Sequence, residues 1–276
     1  MFSFLPITNF NLGPFTIYAW GLFQSIALIA AFFLTKKEFK KINIQKEQLY
    51  FLSILIIFFA LIGSRLFYVF FNLSYFLDQP LKIFRADQGG LVFYGGFIGF
   101  FMAVLVWMKK IKATRQLTLL KILDLLTPAI FLVIFIGRIG CFLINDHIGA
   151  PTNLPWAINL DGIPRHPVAL YLSLNGFVGF FILTFLQKTK KKFINSVLKK
   201  DGMLFLIGLL YYSLTRFFLD FTRVNSGAEA DFHFLNLTVS QWISGVVFVG
   251  VGWFLVRRKK IKNKDSCPAL AGKKLR

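Results

Sequence analysis

Arg65, Arg138 and Arg216 stand within or at the ends of long apolar runs, where a guanidinium is costly and therefore a candidate for function. Arginine presents a planar fork of donors that grips two oxygens of a phosphate at once, which a lysine ammonium does not. Arg216, Asp220 and Arg223 are spaced four and three apart, which puts them on one helix face. One carboxylate between two guanidiniums leaves a positive charge over. The plainer account of this trio is an ion pair that joins two helices; the sharper is that Asp220 orients one arginine while the other meets an anion. For Arg65 the plainer account is a side chain that snorkels to the headgroups. His147, His166 and His233 add groups that carry a proton near neutral pH, although His166, before Pro167, also suits a loop or a helix cap. Cys141 follows Arg138 by one helical turn. A thiol there is either a nucleophile that carries lipid or a small buried apolar side chain.

Such residues need helices that cross a bilayer to hold them. Of the 276 residues 56% are hydrophobic and only 16% charged, with a mean hydropathy of +0.65; a soluble domain carries more charge. Apolar runs of roughly the 20 residues that span the hydrocarbon core recur near 15–35, 49–72, 91–108, 122–143, 168–187, 203–222 and 238–256. The expected fold is therefore all-α, a polytopic membrane bundle of about seven helices. Gly95 and Gly99 are four apart in one span, a spacing that lets helices approach closely. Gly89 and Gly90 stand at the turn into it.

The remaining charge is lopsided, 32 Lys and Arg against 12 Asp and Glu. In isolation that balance suits a nucleic-acid partner, but its distribution does not. Twenty-five of the 32 basic residues fall in 36–46, 109–121, 188–200 and 257–276, alternate connectors and the tail, which the positive-inside rule assigns to the cytosol. The N-terminus is then outside and the C-terminus cytoplasmic. The seven exceptions are Arg65, Lys82, Arg85, Arg138, Arg165, Arg216 and Arg223, six of them arginine. Lysine sets topology in this chain, and arginine is reserved for other work.

Residues 1–13 carry no basic residue ahead of the first apolar run, so the first span is expected to be retained and not cleaved as a signal peptide. Two cysteines, one in a span and one in the tail, form no disulfide framework across a membrane and read as free thiols. Residues 1–256 read as a single membrane-embedded domain, and 257–276 as a basic, solvated, poorly ordered cytoplasmic tail.

Five segments carry a resemblance. They are Gly89-Gly90-Leu91-Val92-Phe93-Tyr94-Gly95-Gly96, Gly137-Arg138-Ile139-Gly140-Cys141-Phe142, Leu154-Pro155-Trp156-Ala157 leading to Pro164-Arg165-His166-Pro167 and Leu170-Tyr171, Arg216 through Arg223, and Ser240-Gln241. Any one is common, but five in order at compatible spacing are not. Together they resemble the prolipoprotein diacylglyceryl transferases from the third span to the seventh. The resemblance implies a multi-pass protein of the bacterial plasma (inner) membrane whose partners are the lipid bilayer, phosphatidylglycerol and secreted precursors with a lipobox cysteine. The implied reaction moves the diacylglyceryl group onto the cysteine thiol as a thioether and releases glycerol phosphate, with no metal, no soluble cofactor and no nucleic acid. It also implies that Arg138 and Arg216 hold the phosphate. Asp220, Arg223, Gly95 and Gly96 join them around the substrate.

The chain departs from the family at three positions: Tyr94 replaces the usual His before the paired glycines, Cys141 the Asn after Gly-Arg-Xaa-Gly, and Asp146 the Glu of the following loop. Tyrosine, with a pKa near 10, is a poor base at neutral pH. Tyr94 is therefore expected to orient the lipid while Asp146, His147 or His166 takes the proton. Two other readings keep the arginine site: a lipid-binding or transport protein that has lost transfer, and a transferase with a different acceptor. Outer-edge charges, with Asp124 near the cytoplasmic Lys121, favour a headgroup site over a path across the membrane.

The topology is tested by a single-cysteine labelling scan. Residues in 36–48, 109–121, 188–201 and 257–276 are expected to resist reagents confined to the outside. External labelling within 188–201 overturns the orientation.

Overall fold

The computed structural model describes residues 2–84, 90–111, 117–146, 148–160, 162–189, 200–224 and 233–265. Within them run eight helices: α1 (Ala19–Lys40), α2 (Lys46–Phe71), α3 (Leu73–Asp78), α4 (Phe93–Lys110), α5 (Leu119–Leu143), α6 (Val168–Thr189), α7 (Met203–Leu219) and α8 (Val239–Asp265). All but the short α3 are long and apolar enough to cross a membrane. They match the seven expected spans to within a few residues. Large apolar side chains such as Phe58, Leu61, Phe185 and Val249 stand exposed, a surface suited to hydrocarbon and not to water.

Helix α8 departs from expectation. It continues to Asp265, so the first nine residues of the expected loose tail are helical, while 266–276 lie outside the described residues. Lysine and arginine are good helix formers, and a helix already nucleated in the bilayer extends one hydrogen bond per residue.

Chain contacts divide the protein into two compact units, Met1–Ala30 with Thr127–Arg276, and Ala31–Leu126. In the second unit α2 and α4 cross with their backbones almost touching. A Cβ on Gly95 would lie 2.1 Å from the Gly63 carbonyl oxygen, and one on Gly99 2.1 Å from that of Phe59. Glycine is required there because only a bare Cα lets the helices meet so closely. The Trp107 indole donates to the Gln48 carbonyl at 2.7 Å, which fixes the far end of the same pair.

The first unit is built on α5, α6 and α7. Phe131, Leu183 and Leu204 form its buried apolar centre, with Tyr211 and Tyr212 packed against it. Gly176 and Gly179 of α6 lie against Phe135 and Phe131 of α5. The start of α1 packs on α5 through Gly137 and Gly140, which meet Gln24 and Phe23. Short strands gather at one end of this unit. Strand β1 (Phe2–Ser3) pairs in parallel with β4 (Ile158–Leu160), which pairs antiparallel with β5 (Ile163–Arg165). Hairpin β2 (Asn9–Leu12) and β3 (Phe15–Tyr18) leads into α1, and hairpin β6 (His233–Phe234) and β7 (Leu237–Thr238) into α8. The amide of Ile7 donates to the Leu143 carbonyl at 2.7 Å, so the N-terminal segment sits at the end of α5.

The close crossing predicts that Gly95→Ala destabilises the protein by about 1–3 kcal/mol, the usual cost of overpacking. Gly252→Ala, where an added Cβ meets nothing within 4 Å, leaves stability unchanged or slightly raised. Unfolding of the purified variants in detergent measures both.

Candidate functional site

The ends of α5 and α7 are joined by backbone. Helix α5 stops where Asn145 turns left-handed at φ 56°, a conformation asparagine tolerates. Its following loop then lies beside the segment that leaves α7. Ala150 donates to the Thr222 carbonyl at 2.9 Å, and Val224 to that of Ile148 at 3.3 Å. On its other side the loop receives the His166 amide on the Ala150 carbonyl at 3.0 Å and gives the Thr152 amide to Pro164 at 2.9 Å. Three stretches of chain meet at Gly149, where a Cβ would lie 2.0 Å from the His166 carbonyl oxygen. The Arg165 guanidinium donates to the Gly149 carbonyl at 3.2 Å. Arg138 and Arg216, each within the last turns of its helix, thus belong to one end of this unit.

At the α7 side Asp220 is the centre. It is 1% exposed, and Arg216 and Arg223 are each 7% exposed. Asp220 Oδ1 lies 3.0 Å from Arg216 Nη2 and 3.9 Å from Arg223 Nη1. Its other oxygen, Oδ2, accepts a hydrogen bond from the Thr238 hydroxyl at 2.8 Å. Thr238 is able to donate because of its place ahead of α8: its Oγ1 accepts the Gln241 amide at 3.1 Å, and the Gln241 side chain accepts the Thr238 amide at 2.9 Å. This reciprocal cap occupies the hydroxyl's lone pair and aims its proton at the carboxylate. Arg216 Nη2 also reaches Ser240 Oγ at 3.4 Å, whereas its Nη1 is buried with no hydrogen-bond partner among the described residues. A buried donor without an acceptor is rare and costly.

At the α5 side Arg138 is half-buried, and its Nη1 lies 4.0 Å from Cys141 Sγ. Among the described residues no carboxylate pairs with it. The Cys141 thiol is free and buried, beside Arg138, Asp146 and the Trp20 indole. Asp146 and His166 border one recess of about 10 Å³, with Phe142 and Pro167 also lining it; that is room for a single water. His166 Nδ1 lies 3.2 Å from the Tyr171 hydroxyl, which itself accepts the Trp156 indole N–H at 2.8 Å. Burial lowers the pKa of His166 below the ordinary imidazole value, which favours the neutral ring.

His147 falls outside the described residues. Tyr94, Gly95 and Gly96 belong to the second unit at the start of α4, where Gly95 and Gly96 face Gly63 and Ser64 of α2. Arg65 neither snorkels nor opens to an anion: Nε donates to the Ile83 carbonyl at 2.9 Å, Nη2 to Lys82 at 2.6 Å and Nη1 to Gly90 at 3.2 Å. It clasps the loop that leads into α4. Sequence reasoning missed Gly149, Thr238 and Trp20. Only Thr238, a capping residue three before Gln241, left a local signal.

Fold and site together define a multi-span helical membrane protein that holds buried arginines at one end of its larger unit. The sequence profile of the family described as prolipoprotein diacylglyceryl transferase matches residues 7–257. Proteins named phosphatidylglycerol–prolipoprotein diacylglyceryl transferase align along most of their length. The one from Finegoldia magna is 32% identical over 257 residues, 93% of this chain and 97% of its own. That of Bacillus cytotoxicus is 30% identical over 262 residues, covering 90% and 91%. That of Pediococcus pentosaceus is 29% identical over 268 residues, covering 92% and 91%. The chain belongs to the prolipoprotein diacylglyceryl transferase family, as the five motifs implied.

Removing Asp220 leaves the buried Arg216 guanidinium without the carboxylate 3.0 Å from it, so Asp220→Ala is expected to cost about 3–5 kcal/mol. Thr238→Val removes one hydrogen bond to that carboxylate and the cap, for about 1–3 kcal/mol, and Thr238→Ser restores most of it. Chemical unfolding in detergent ranks the three; a silent Thr238→Val contradicts the assigned proton direction.

Proposed function

We propose that this protein transfers the diacylglyceryl group of phosphatidylglycerol to the lipobox cysteine thiol of secreted precursor proteins in the bacterial plasma membrane. The observation that carries this reading at the site is the buried Nη1 of Arg216, which has no hydrogen-bond partner among the described residues although Nη2 of the same guanidinium meets Asp220. The substrate sulfur attacks the glyceryl carbon, the carbon–oxygen bond to phosphate breaks, and glycerol phosphate leaves with the electron pair. Negative charge grows on the leaving oxygens, and fixed donors in a poorly hydrated site stabilise it. Arg138 and Arg216 grip the phosphate, Asp220 holds Arg216 in place, and Arg223 adds its charge around the substrate. Gly95 and Gly96 serve the crossing of α4 with α2 and not the substrate. The thiol proton goes to Asp146, His147 or His166, and Tyr94 orients the lipid.

Residues 1–256 act as one membrane-embedded transferase domain, the N-terminus outside and the basic tail 257–276 in the cytosol. A covalent role for Cys141 does not suit the chemistry. Attack by its thiol would form a thioether, and a thioether sulfur is too poor a leaving group to pass the lipid on.

Arg138→Lys separates a phosphate fork from a snorkelling cation. A lysine keeps the charge and a flexible stem but loses the second hydrogen bond. Transfer from phosphatidylglycerol to a lipobox peptide is expected to fall by about 10²–10³, the usual loss for one preorganised donor, with membrane insertion intact and lipid binding less affected. Wild-type rates in the variant exclude the role given to Arg138, whereas no transfer by the parent protein favours a lipid-binding protein of the same fold.

A further inference from the structure

The corner between α1 and α2 carries a recess that the transfer reaction does not use. It measures about 550 Å³, within the range of small-molecule sites, and lies wholly in the second unit. Lys36, Lys40 and Lys46 line it above an apolar floor of Phe39 and Leu49, with Glu47 as its only acidic lining residue. Phe39 is 1% exposed and Leu49 3%, so the floor is fixed. Phe39 is backed edge-on by Trp107, 5.9 Å between ring centroids.

Positive charge at a cytoplasmic connector is expected for topology alone, and of the five lysines of this corner one has a carboxylate partner among the described residues. Lys41 pairs with Glu38. The last carbonyls of α1, on Glu38, Phe39 and Lys40, accept amides of the turn at 3.1–3.3 Å. Among the described residues Lys36, Lys40 and Lys46, like Lys37, have neither a carboxylate nor a hydrogen-bond partner, and of these four only Lys36, Lys40 and Lys46 line the recess. Lys36 and Lys40 are one turn apart on α1, and Lys46 opens α2, so three unpaired ammonium groups reach one concavity from two helices. Both helices are long enough to cross the membrane, which sets the corner that joins them at headgroup depth. The site combines cations at the rim, an apolar floor and a place at the bilayer surface. That combination matches an amphiphile with an anionic head better than a soluble anion.

We propose that this recess is a second lipid site, which binds the headgroup phosphate of an anionic phospholipid from the leaflet level with the α1–α2 corner. The inference does not depend on the transfer reaction. Basic pockets between membrane helices hold lipid headgroups by the same chemistry. Glu47 leaves a net excess of two positive charges in the lining, enough to meet one phosphodiester and to disfavour a zwitterionic head.

The test uses the full-length protein in phosphatidylcholine nanodiscs doped with phosphatidylglycerol that bears a photoreactive headgroup, with labelled peptides mapped by mass spectrometry. Labelling within 36–49 is expected, and the combined exchange Lys36→Gln, Lys40→Gln, Lys46→Gln lowers it by about tenfold or more. Lys109→Gln, Lys110→Gln, Lys121→Gln removes the same charge elsewhere in the unit and leaves it unchanged. Should the triple variant not fold, Lys40→Gln at an exposed position gives a smaller drop in the same direction. The proposal is overturned if the recess variant labels like the parent or if the control loses as much. It is equally overturned if a choline-headgroup probe labels 36–49 as well, or if water-soluble glycerol 3-phosphate displaces the lipid, since that marks a site for free anions. Transfer to a lipobox peptide stays at the parent level in the recess variant, so a failure here is distinguishable from a failure of the transferase reading.

Discussion

Irregular backbone at the edge of a bilayer must find partners for its own amides and carbonyls, because hydrocarbon offers none. In the larger unit that constraint is met by pairing the loop after α5 with the segment after α7, through Ala150 with Thr222 and Val224 with Ile148. The start of α6 closes the same loop from the other side through His166 and Ala150. Arg138 and Arg216 share one end of the unit as a consequence of this backbone accounting, without any direct attraction between two like charges. Gly149 is the point where it is least forgiving, since its missing Cβ is the space the His166 carbonyl occupies.

The second constraint is charge. Burying Arg216 beside Asp220 is unfavourable in isolation, because desolvation of a guanidinium offsets much of what an ion pair returns. The fold limits that cost with neutral groups, the Thr238 hydroxyl on Asp220 and Ser240 on Arg216, and leaves Arg216 Nη1 without an acceptor. Such a site is stabilised by an incoming anion more than by further internal pairing. For the proposed reaction that is the useful direction, since a departing phosphate monoester gains charge as the carbon–oxygen bond breaks. The donors are already in place and need little reorganisation.

Much of this was legible in the sequence, for physical reasons that differ by element. The seven spans were readable because hydrophobic length is itself the requirement for crossing a bilayer. Arg216, Asp220 and Arg223 were readable because helix periodicity turns spacing into a shared face. The Gly95–Gly99 spacing foretold a close crossing but not its partner, since Gly63 is brought there only by the fold. Arg65 was misjudged for the same reason: its partners are backbone carbonyls 17, 18 and 25 residues away, and carbonyls have no sequence signature. Trp20, Gly149 and the three lysines of the α1–α2 recess act through space, and two-residue strands such as β1 carry no period to read. The helical continuation of α8 to Asp265 was hidden because solvated basic runs and extended helices share a composition.

The three departures from the family pattern fall where the proposed reaction tolerates them unequally. A cysteine thiol ionises near 8.5, so part of it is already thiolate at neutral pH, and an excess of positive charge nearby increases that part. A base then has little left to do, which makes Tyr94 in place of histidine a modest loss and leaves the recess between Asp146 and His166 adequate for one proton. The leaving group has no such help from solution, because a glyceryl–phosphate bond does not break at a useful rate unless its developing charge is met by fixed cations. This chain accordingly carries arginine at 138 and 216 while it departs from the family pattern at 94, 141 and 146. Cys141 fits the same ordering: beside Arg138 and Asp146 it fills space and completes the packing against Trp20, and the chemistry proceeds on the substrate's sulfur and not on its own.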